Sequence, residues 1–181
     1  MRPINKSTLL VTMAIVLFSM SIPGAVMAEE GEQPPAPPQD ERFDFLKALQ
    51  GTWLAEGDNE EMPGVTFEFR VIAGGAAVQE IEMKGTPMEM MTIYHMDEDQ
   101  LVGTHYCMLG NRPFVHADKA VVDDALSFTC DGKPGNTKSH AEKHVHAWTI
   151  ALDDTGQLSY TGKVMHEDKM SETPAFVLTR Q

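Results

Sequence analysis

Alternation of apolar and polar residues dominates the chain after residue 50. At 66–72, for example, Phe67, Phe69 and Val71 alternate with polar neighbours, and similar runs lie at 52–56, 78–83, 88–96, 101–109, 112–116, 125–130, 144–152, 157–166 and 176–180. Because side chains two apart on a strand share a face, these runs predict about ten half-buried strands. Before them, Phe43 and Leu46 have helical spacing, which predicts a short helix at 42–49.

The breaks between these runs are short and turn-like. Examples are the segments 73–75, 84–87, 97–99, 131–136 and 153–156, which are rich in Gly, Asp and Pro. None of them could hold the crossover helix that joins parallel strands, so neighbouring strands must run antiparallel. Ten strands in one open sheet would expose their edges, and closure removes the edges. The sequence therefore predicts an all-β fold, a closed antiparallel up-and-down β-barrel with a short N-terminal helix.

The first 28 residues have the pattern of a secretory signal peptide. Arg2 and Lys6 precede an apolar stretch at 9–20, and Val26-Met27-Ala28 provides small residues at a cleavage site before Glu29. The apolar stretch is short for a membrane span of about 20 residues. We therefore expect an exported protein, periplasmic or extracellular, with no transmembrane span after signal cleavage.

A proline-rich linker is expected at 29–41, because it contains four prolines and few apolar residues. The folded domain is then 42–181, a calycin-like barrel by the resemblance described below.

Composition limits the partners. The chain has 14 Lys and Arg against 27 Asp and Glu, a formal net charge of −13. This balance argues against nucleic acid and against an anionic membrane surface as partners. Two cysteines are too few for a disulfide framework or a four-thiolate zinc site. The carboxylates are scattered mostly in turns, which indicates solvated surface rather than an acid–base pair.

The beginning and end of the domain carry a family resemblance. The segment 45–53 ends in Gly51-Thr52-Trp53, and the chain ends in Leu178-Thr179-Arg180-Gln181. A short helix leading into Gly-x-Trp resembles the calycin superfamily, which includes lipocalins, fatty-acid-binding proteins and nitrobindin-like haem barrels.

The segments 72–75 and 104–113 further resemble bacterial lipocalin-like domains of unknown function. The resemblance implies a ligand cavity and an Arg180 side chain that covers Trp53 at the closed end. The resemblance assigns no haem-binding residue to this chain, because the nitrobindin haem pattern is not recognisable in its sequence.

A strand register for the 88–96 and 101–109 runs predicts a pocket. If Met96 pairs with Leu101, then Thr92 faces His105 and Met90 lies on the same face. Tyr94 also lies on this face, opposite Gly103, which leaves room for its ring.

If this face is the barrel interior, the ligand-binding residues are His105, Tyr94, Met90 and Thr92. A one-residue slip would place Tyr106 inside instead. A third reading is a core His105 that bonds Thr92 or the backbone and touches no ligand.

His144 and His146 are two apart on one predicted strand, so both could bind one metal ion. His140 could join from the preceding loop. The alternative is a solvated or aromatic-packed histidine pair beside Trp148.

Cys107 and Cys130 would meet an oxidising compartment after export, so they form a disulfide or remain two free thiols. The Arg112–His116 run separates their strands in a strict meander, which disfavours the disulfide.

The function expected is binding of a small hydrophobic or amphipathic molecule inside the barrel, without a cofactor. One alternative is a haem or transition-metal barrel that uses His105 or the His144/His146 pair. A second alternative is an enzyme for a hydrophobic substrate, which would need a polar dyad, for example His105 with Tyr94 or Tyr106.

Overall fold

A computed structural model describes residues 36–55 and 64–181. The predicted signal segment and the start of the predicted linker, residues 29–35, lie outside the described residues. Within the described part, no helix combines the length and apolar character needed to cross a membrane.

The described residues form one α-helix and eleven strands. The helix is α1 (Glu41–Ala48), and the strands are β1 (Gly51–Ala55), β2 (Thr66–Ile72), β3 (Ala77–Glu82), β4 (Met90–Asp97), β5 (Gln100–Tyr106), β6 (Phe114–Ala117), β7 (Ala125–Cys130), β8 (His144–Leu152), β9 (Leu158–His166), β10 (Lys169–Glu172) and β11 (Phe176–Arg180). A single turn of 3-10 helix, Ala73–Gly75, joins β2 to β3.

The strands close into a barrel. The sheet runs β9-β11-β1-β2-β3-β4-β5-β6-β7-β8, and β8 pairs back onto β9. All pairings between these strands are antiparallel. The predicted closed antiparallel barrel of about ten strands is confirmed.

One short strand was not predicted. β10 pairs with residues 163–166 of β9, whereas β11 pairs with residues 158–160 of the same strand. β10 has the sequence KMSE and is exposed along its whole length, so it has no apolar alternation from which a strand could be predicted.

The helix lies across one end of the barrel. Asp40 caps its N-terminus by accepting from the backbone N–H groups of Arg42 and Phe43. Arg42 also donates to the carbonyl oxygens of Asp99, in the β4–β5 turn, and Asp118, after β6. Phe43, Leu46 and Leu49 are fully buried in the core. These contacts fix α1 over the loops at this end of the barrel. The apolar side chains of the helix close the end.

Trp53 and Arg180 lie at the same end as α1. Trp53 on β1 is the direct cross-strand partner of Arg180 on β11. The Arg180 guanidinium lies 4.4 Å from the centre of the Trp53 ring, within the range of a cation–π contact. It also donates to the carbonyl oxygens of Ala48 and Gln50, and so caps the carboxyl end of α1.

Candidate functional site

An apolar cavity opens at the end of the barrel opposite α1. Its volume is about 430 Å³, within the range of small-molecule sites. β3, β4, β8, β9 and β11 contribute to the wall, together with the β3–β4 loop and the segment before β11. The lining residues are Glu82, Met83, Met88, Met90, Val145, Trp148, Tyr160, Gly162, Thr173, Pro174 and Phe176. The surface of this cavity is mostly methionine, aromatic and aliphatic carbon, with Glu82 as its acidic member.

Glu82 belongs to a pair of carboxyl groups that the strand pattern turns inward. Val78, Glu80 and Glu82 occupy alternate positions on β3, and all three are buried. Since the Val78 face is the core face, the two carboxyl groups point into the barrel. The expectation that carboxylates form only solvated surface is therefore wrong for Glu80 and Glu82.

Tyrosine and tryptophan side chains bond these carboxyl groups. The Tyr94 hydroxyl donates to Glu80 Oε2 at 2.5 Å and accepts from the Trp148 indole N–H at 3.0 Å. The Tyr160 hydroxyl donates to Glu82 Oε1 at 3.3 Å. The second oxygen of Glu80, Oε1, is buried without a hydrogen-bond partner. This network connects β3, β4, β8 and β9 across the interior.

His105 joins the network from β5. Its Nδ1 lies 2.9 Å from the Thr92 hydroxyl and 3.5 Å from Glu82 Oε1. Its ring packs on Trp148 with 5.6 Å between ring centres, and its Nε2 is buried without a partner.

Burial sets the protonation of these groups. Desolvation, reinforced by the charge of Glu82, raises the pKa of Glu80 well above its ordinary value. Desolvation likewise raises the pKa of Glu82 to about 7, against the smaller opposing effect of the Tyr160 hydrogen bond. It lowers the pKa of His105 to about 4. Near neutral pH the imidazole is therefore uncharged, and His105 and Glu82 form no full ion pair in spite of their proximity.

The predicted register is found in the structure. Met96 pairs with Leu101, Tyr94 with Gly103, and Thr92 with His105. A side chain at Gly103 would collide with Tyr94, because an added Cβ would lie 2.9 Å from Tyr94 Cδ1.

The predicted ligand-binding residues occupy three different places. Met90 lines the cavity. Thr92, Tyr94 and His105 are buried in the polar network and are not among the lining residues. Tyr106 is 44% exposed on the opposite face of β5. The dyad of His105 with Tyr94, which was one example for the enzymatic alternative, is not formed in the described network, where Tyr94 bonds Glu80 and Trp148.

Sequence reasoning missed Glu82, Tyr160 and Trp148 as parts of the cavity wall. The inward position of Glu82 could have been predicted, because Glu82 follows Val78 by an even number of residues and so lies on the same face of the strand. The contact with Tyr160 could not have been found in this way, since the two residues are 78 positions apart in the chain.

The two cysteines are not paired. Cys107 and Cys130 are both buried free thiols, and β6 lies between their strands in the sheet. Cys107 lies against Met90, with 3.8 Å between their sulfur atoms. Cys130 lies instead beside His144 and His146 at the start of β8.

The structure brings His144 and His146 together. His144 Nε2 lies 3.3 Å from His146 Nδ1, and the His140 ring packs against both rings. Burial, and the neighbouring histidines, lower the pKa of both His144 and His146, although the Glu142 carbonyl opposes this for His144.

Comparison with known proteins adds no assignment: no family model matches the chain, and no curated protein matches its sequence. The barrel is compatible with a calycin-like fold. The function must therefore be argued from the cavity and its chemistry.

Proposed function

We propose that this protein is an exported barrel that binds one small, mostly apolar molecule whose polar end is a hydrogen-bond donor. The observation that carries the proposal is the composition of the cavity wall, in which Glu82 stands among methionine, aromatic and aliphatic side chains.

Burial of the apolar part of the ligand provides most of the affinity. Removing apolar surface from water contributes about 25 cal/mol per Å². Met83, Met88 and Met90 lie together on one side of the cavity, and methionine adapts its unbranched side chain to irregular shapes. Such a wall favours a class of related apolar ligands over one rigid shape.

Glu82 determines which polar end the ligand carries. A carboxyl group accepts a hydrogen bond from a hydroxyl, amide or amine, and an approaching ammonium would lower its pKa and form an ion pair. Above about pH 7 a fatty carboxylate would instead face the like charge of the ionised Glu82. Among the described lining residues, none is Lys or Arg. Above about pH 7, where Glu82 is ionised, the arrangement therefore selects a neutral donor or an amine and disfavours an anion.

Membership of the calycin superfamily is part of this proposal. Support comes from the short helix that leads into Gly51-Thr52-Trp53 and from Arg180 stacked on Trp53 at the closed end. Fold alone does not determine the ligand.

Export is also part of the proposal, supported by the sequence at 1–28. N-terminal sequencing of the protein from its native cell should begin at Glu29 or within a few residues of it. A protein that retains Arg2 in the cytoplasm would refute export and leave the cavity argument unaffected.

A cavity-filling variant tests whether binding occurs at this site. N-phenyl-1-naphthylamine, a neutral apolar fluorophore with one N–H donor, serves as the probe. Met90→Trp places a bulky ring in the cavity, whereas Met108→Trp adds the same ring at an exposed position.

We expect saturable binding of one probe per wild-type chain, a loss of at least about tenfold in affinity for Met90→Trp, equivalent to 1.4 kcal/mol, and no change for Met108→Trp. Absence of saturable binding, or equal binding by wild type and Met90→Trp, would refute the assignment.

A further inference from the structure

A second cluster of chemically reactive side chains lies where β7 ends and β8 begins. Regular pairing of these strands continues to Thr129↔Ala147. On the other side of β8, the register against β9 shifts between Val145 and Ala147, which makes His146 the extra residue of a β-bulge. A bulge changes the direction of a side chain, and bulges are frequent beside functional sites. Here the bulged residue is itself a histidine, two positions after His144, near the point where β7 ends in Cys130.

Cys130, His144 and His146 converge on one point. The Cys130 sulfur and one ring nitrogen from each histidine all lie within 4.8 Å of one another. The nearest two of these atoms, His144 Nε2 and His146 Nδ1, are 3.3 Å apart. Two nitrogen ligands bound at about 2.0–2.1 Å to a tetrahedral ion stand about 3.3–3.4 Å apart. The separation in the protein is that of a hydrogen bond between the two rings, and it also matches two ligands on one ion.

A backbone contact fixes the orientation of His144. Its Nδ1 lies 2.7 Å from the Glu142 carbonyl oxygen, which can only accept, so Nδ1 carries the proton. Nε2 is then the nitrogen with a free lone pair, directed at His146. Histidine ligands in metal sites are commonly held by this type of outer hydrogen bond.

A third imidazole borders the cluster. The ring centre of His140 lies 5.0 Å from that of His144 and 5.1 Å from that of His146. Three ligands leave one tetrahedral position open, and His140 lies directly beside the cluster.

We propose that Cys130, His144 and His146 bind one transition-metal ion of the Zn²⁺ class, with water or His140 in the fourth position. A thiolate together with imidazoles suits Zn²⁺ and its neighbours in the first transition series, whereas Mg²⁺ and Ca²⁺ prefer oxygen ligands. On binding, the Cys130 thiol releases its proton to solvent and the sulfur becomes a thiolate ligand. The metal site is separate from the cavity in which Glu82 would contact the ligand. Val145, between the two histidines, lines that cavity.

The test uses tag-free mature protein that has been treated with a chelator. Titration calorimetry with Zn²⁺ gives stoichiometry and affinity, and titration with Co²⁺ reports a cobalt–thiolate charge-transfer band. Cys130→Ser and His146→Asn remove two ligands. Cys107→Ser and His166→Asn are matched controls, since they remove the other cysteine and an exposed histidine.

The proposal predicts one Zn²⁺ per chain. It also predicts that the cobalt–thiolate band is lost in Cys130→Ser and retained in Cys107→Ser. His146→Asn should weaken Zn²⁺ binding by more than the roughly 10–100-fold that follows loss of an outer hydrogen-bond partner. His146 is only partly buried, so this variant should fold, and its thermal midpoint should no longer rise with Zn²⁺. Both control variants should behave as wild type.

Zn²⁺ binding that is unchanged in His146→Asn, a cobalt spectrum without thiolate character, or an absence of stoichiometric binding would overturn the proposal. If Cys130→Ser does not fold, the result with His146→Asn and the cobalt spectrum of the wild type decide the matter.

Discussion

The Tyr94 hydroxyl bonds Glu80 at a distance of 2.5 Å in the centre of the barrel, and the same oxygen accepts the indole N–H of Trp148. One phenol thus satisfies a buried carboxyl group and a buried indole. An unpaired polar group in such a place is costly, so the barrel depends on this contact.

Tyr94→Phe should destabilise the barrel. The variant leaves Glu80 without its hydrogen-bond donor and Trp148 without its acceptor, which should cost about 1–3 kcal/mol of unfolding free energy. Tyr106→Phe removes an exposed hydroxyl and should stay within about 0.5 kcal/mol of wild type. Chemical denaturation of the three proteins measures both values, and equal stability of Tyr94→Phe and wild type would contradict the role given to this network.

Glu82 should make stability depend on pH. In the folded protein it keeps its proton to about pH 7, whereas its ordinary pKa is 4.5. The folded state therefore binds more protons in this window, and this carboxyl lowers stability as pH rises through it. Glu82→Gln cannot titrate, so its stability relative to wild type should increase by about 1–3 kcal/mol between pH 4.5 and 7.

His105 has the opposite effect on stability. Its pKa falls from 6.5 to about 4 on folding, so its contribution to stability increases with pH over that interval. Both proteins contain His105, so the desolvation of its imidazole is common to them and cancels in the comparison. Glu172→Gln, at an exposed position on β10, is the control and should show a constant difference from wild type. A constant difference for Glu82→Gln as well would mean that its carboxyl titrates normally.

Arg180 should stabilise the closed end of the barrel through its planar guanidinium. Lysine keeps the charge but cannot stack on Trp53 while bonding both Ala48 and Gln50. Arg180→Lys should therefore lower the unfolding free energy by about 1–2 kcal/mol. Arg70→Lys, at an exposed position of β2, provides the comparison. If thermal or chemical unfolding shows the same small change for both variants, the stacking at the closed end is unimportant.

Much of the barrel could be predicted from the sequence because half-buried strands alternate visibly. The Met96–Leu101 register was assumed from a tight turn at 97–100 and is found in the structure, where Gly103 gives the Tyr94 ring the room that this register requires. β10 could not be predicted because no face of it is buried.

The candidate sites were less accessible to sequence reasoning. Apolar and polar patterning assigns glutamate to solvent, so Glu80 and Glu82 were misplaced, and their partner Tyr160 comes from a distant strand. The approach of His146 to Cys130 depends on a bulge, which adds a residue without altering composition.

The head-group preference of the cavity tests the central claim most directly. Displacement of N-phenyl-1-naphthylamine by a primary alkylamine, alcohol and carboxylate of equal chain length should be measured on wild type and on Glu82→Gln at about pH 8, above the pKa of Glu82. We predict that amine and alcohol bind wild type at least about tenfold more tightly than the carboxylate, a difference of 1.4 kcal/mol, and that Glu82→Gln removes most of this difference. A carboxylate that binds wild type as tightly as the amine, with no effect of Glu82→Gln, would contradict the account.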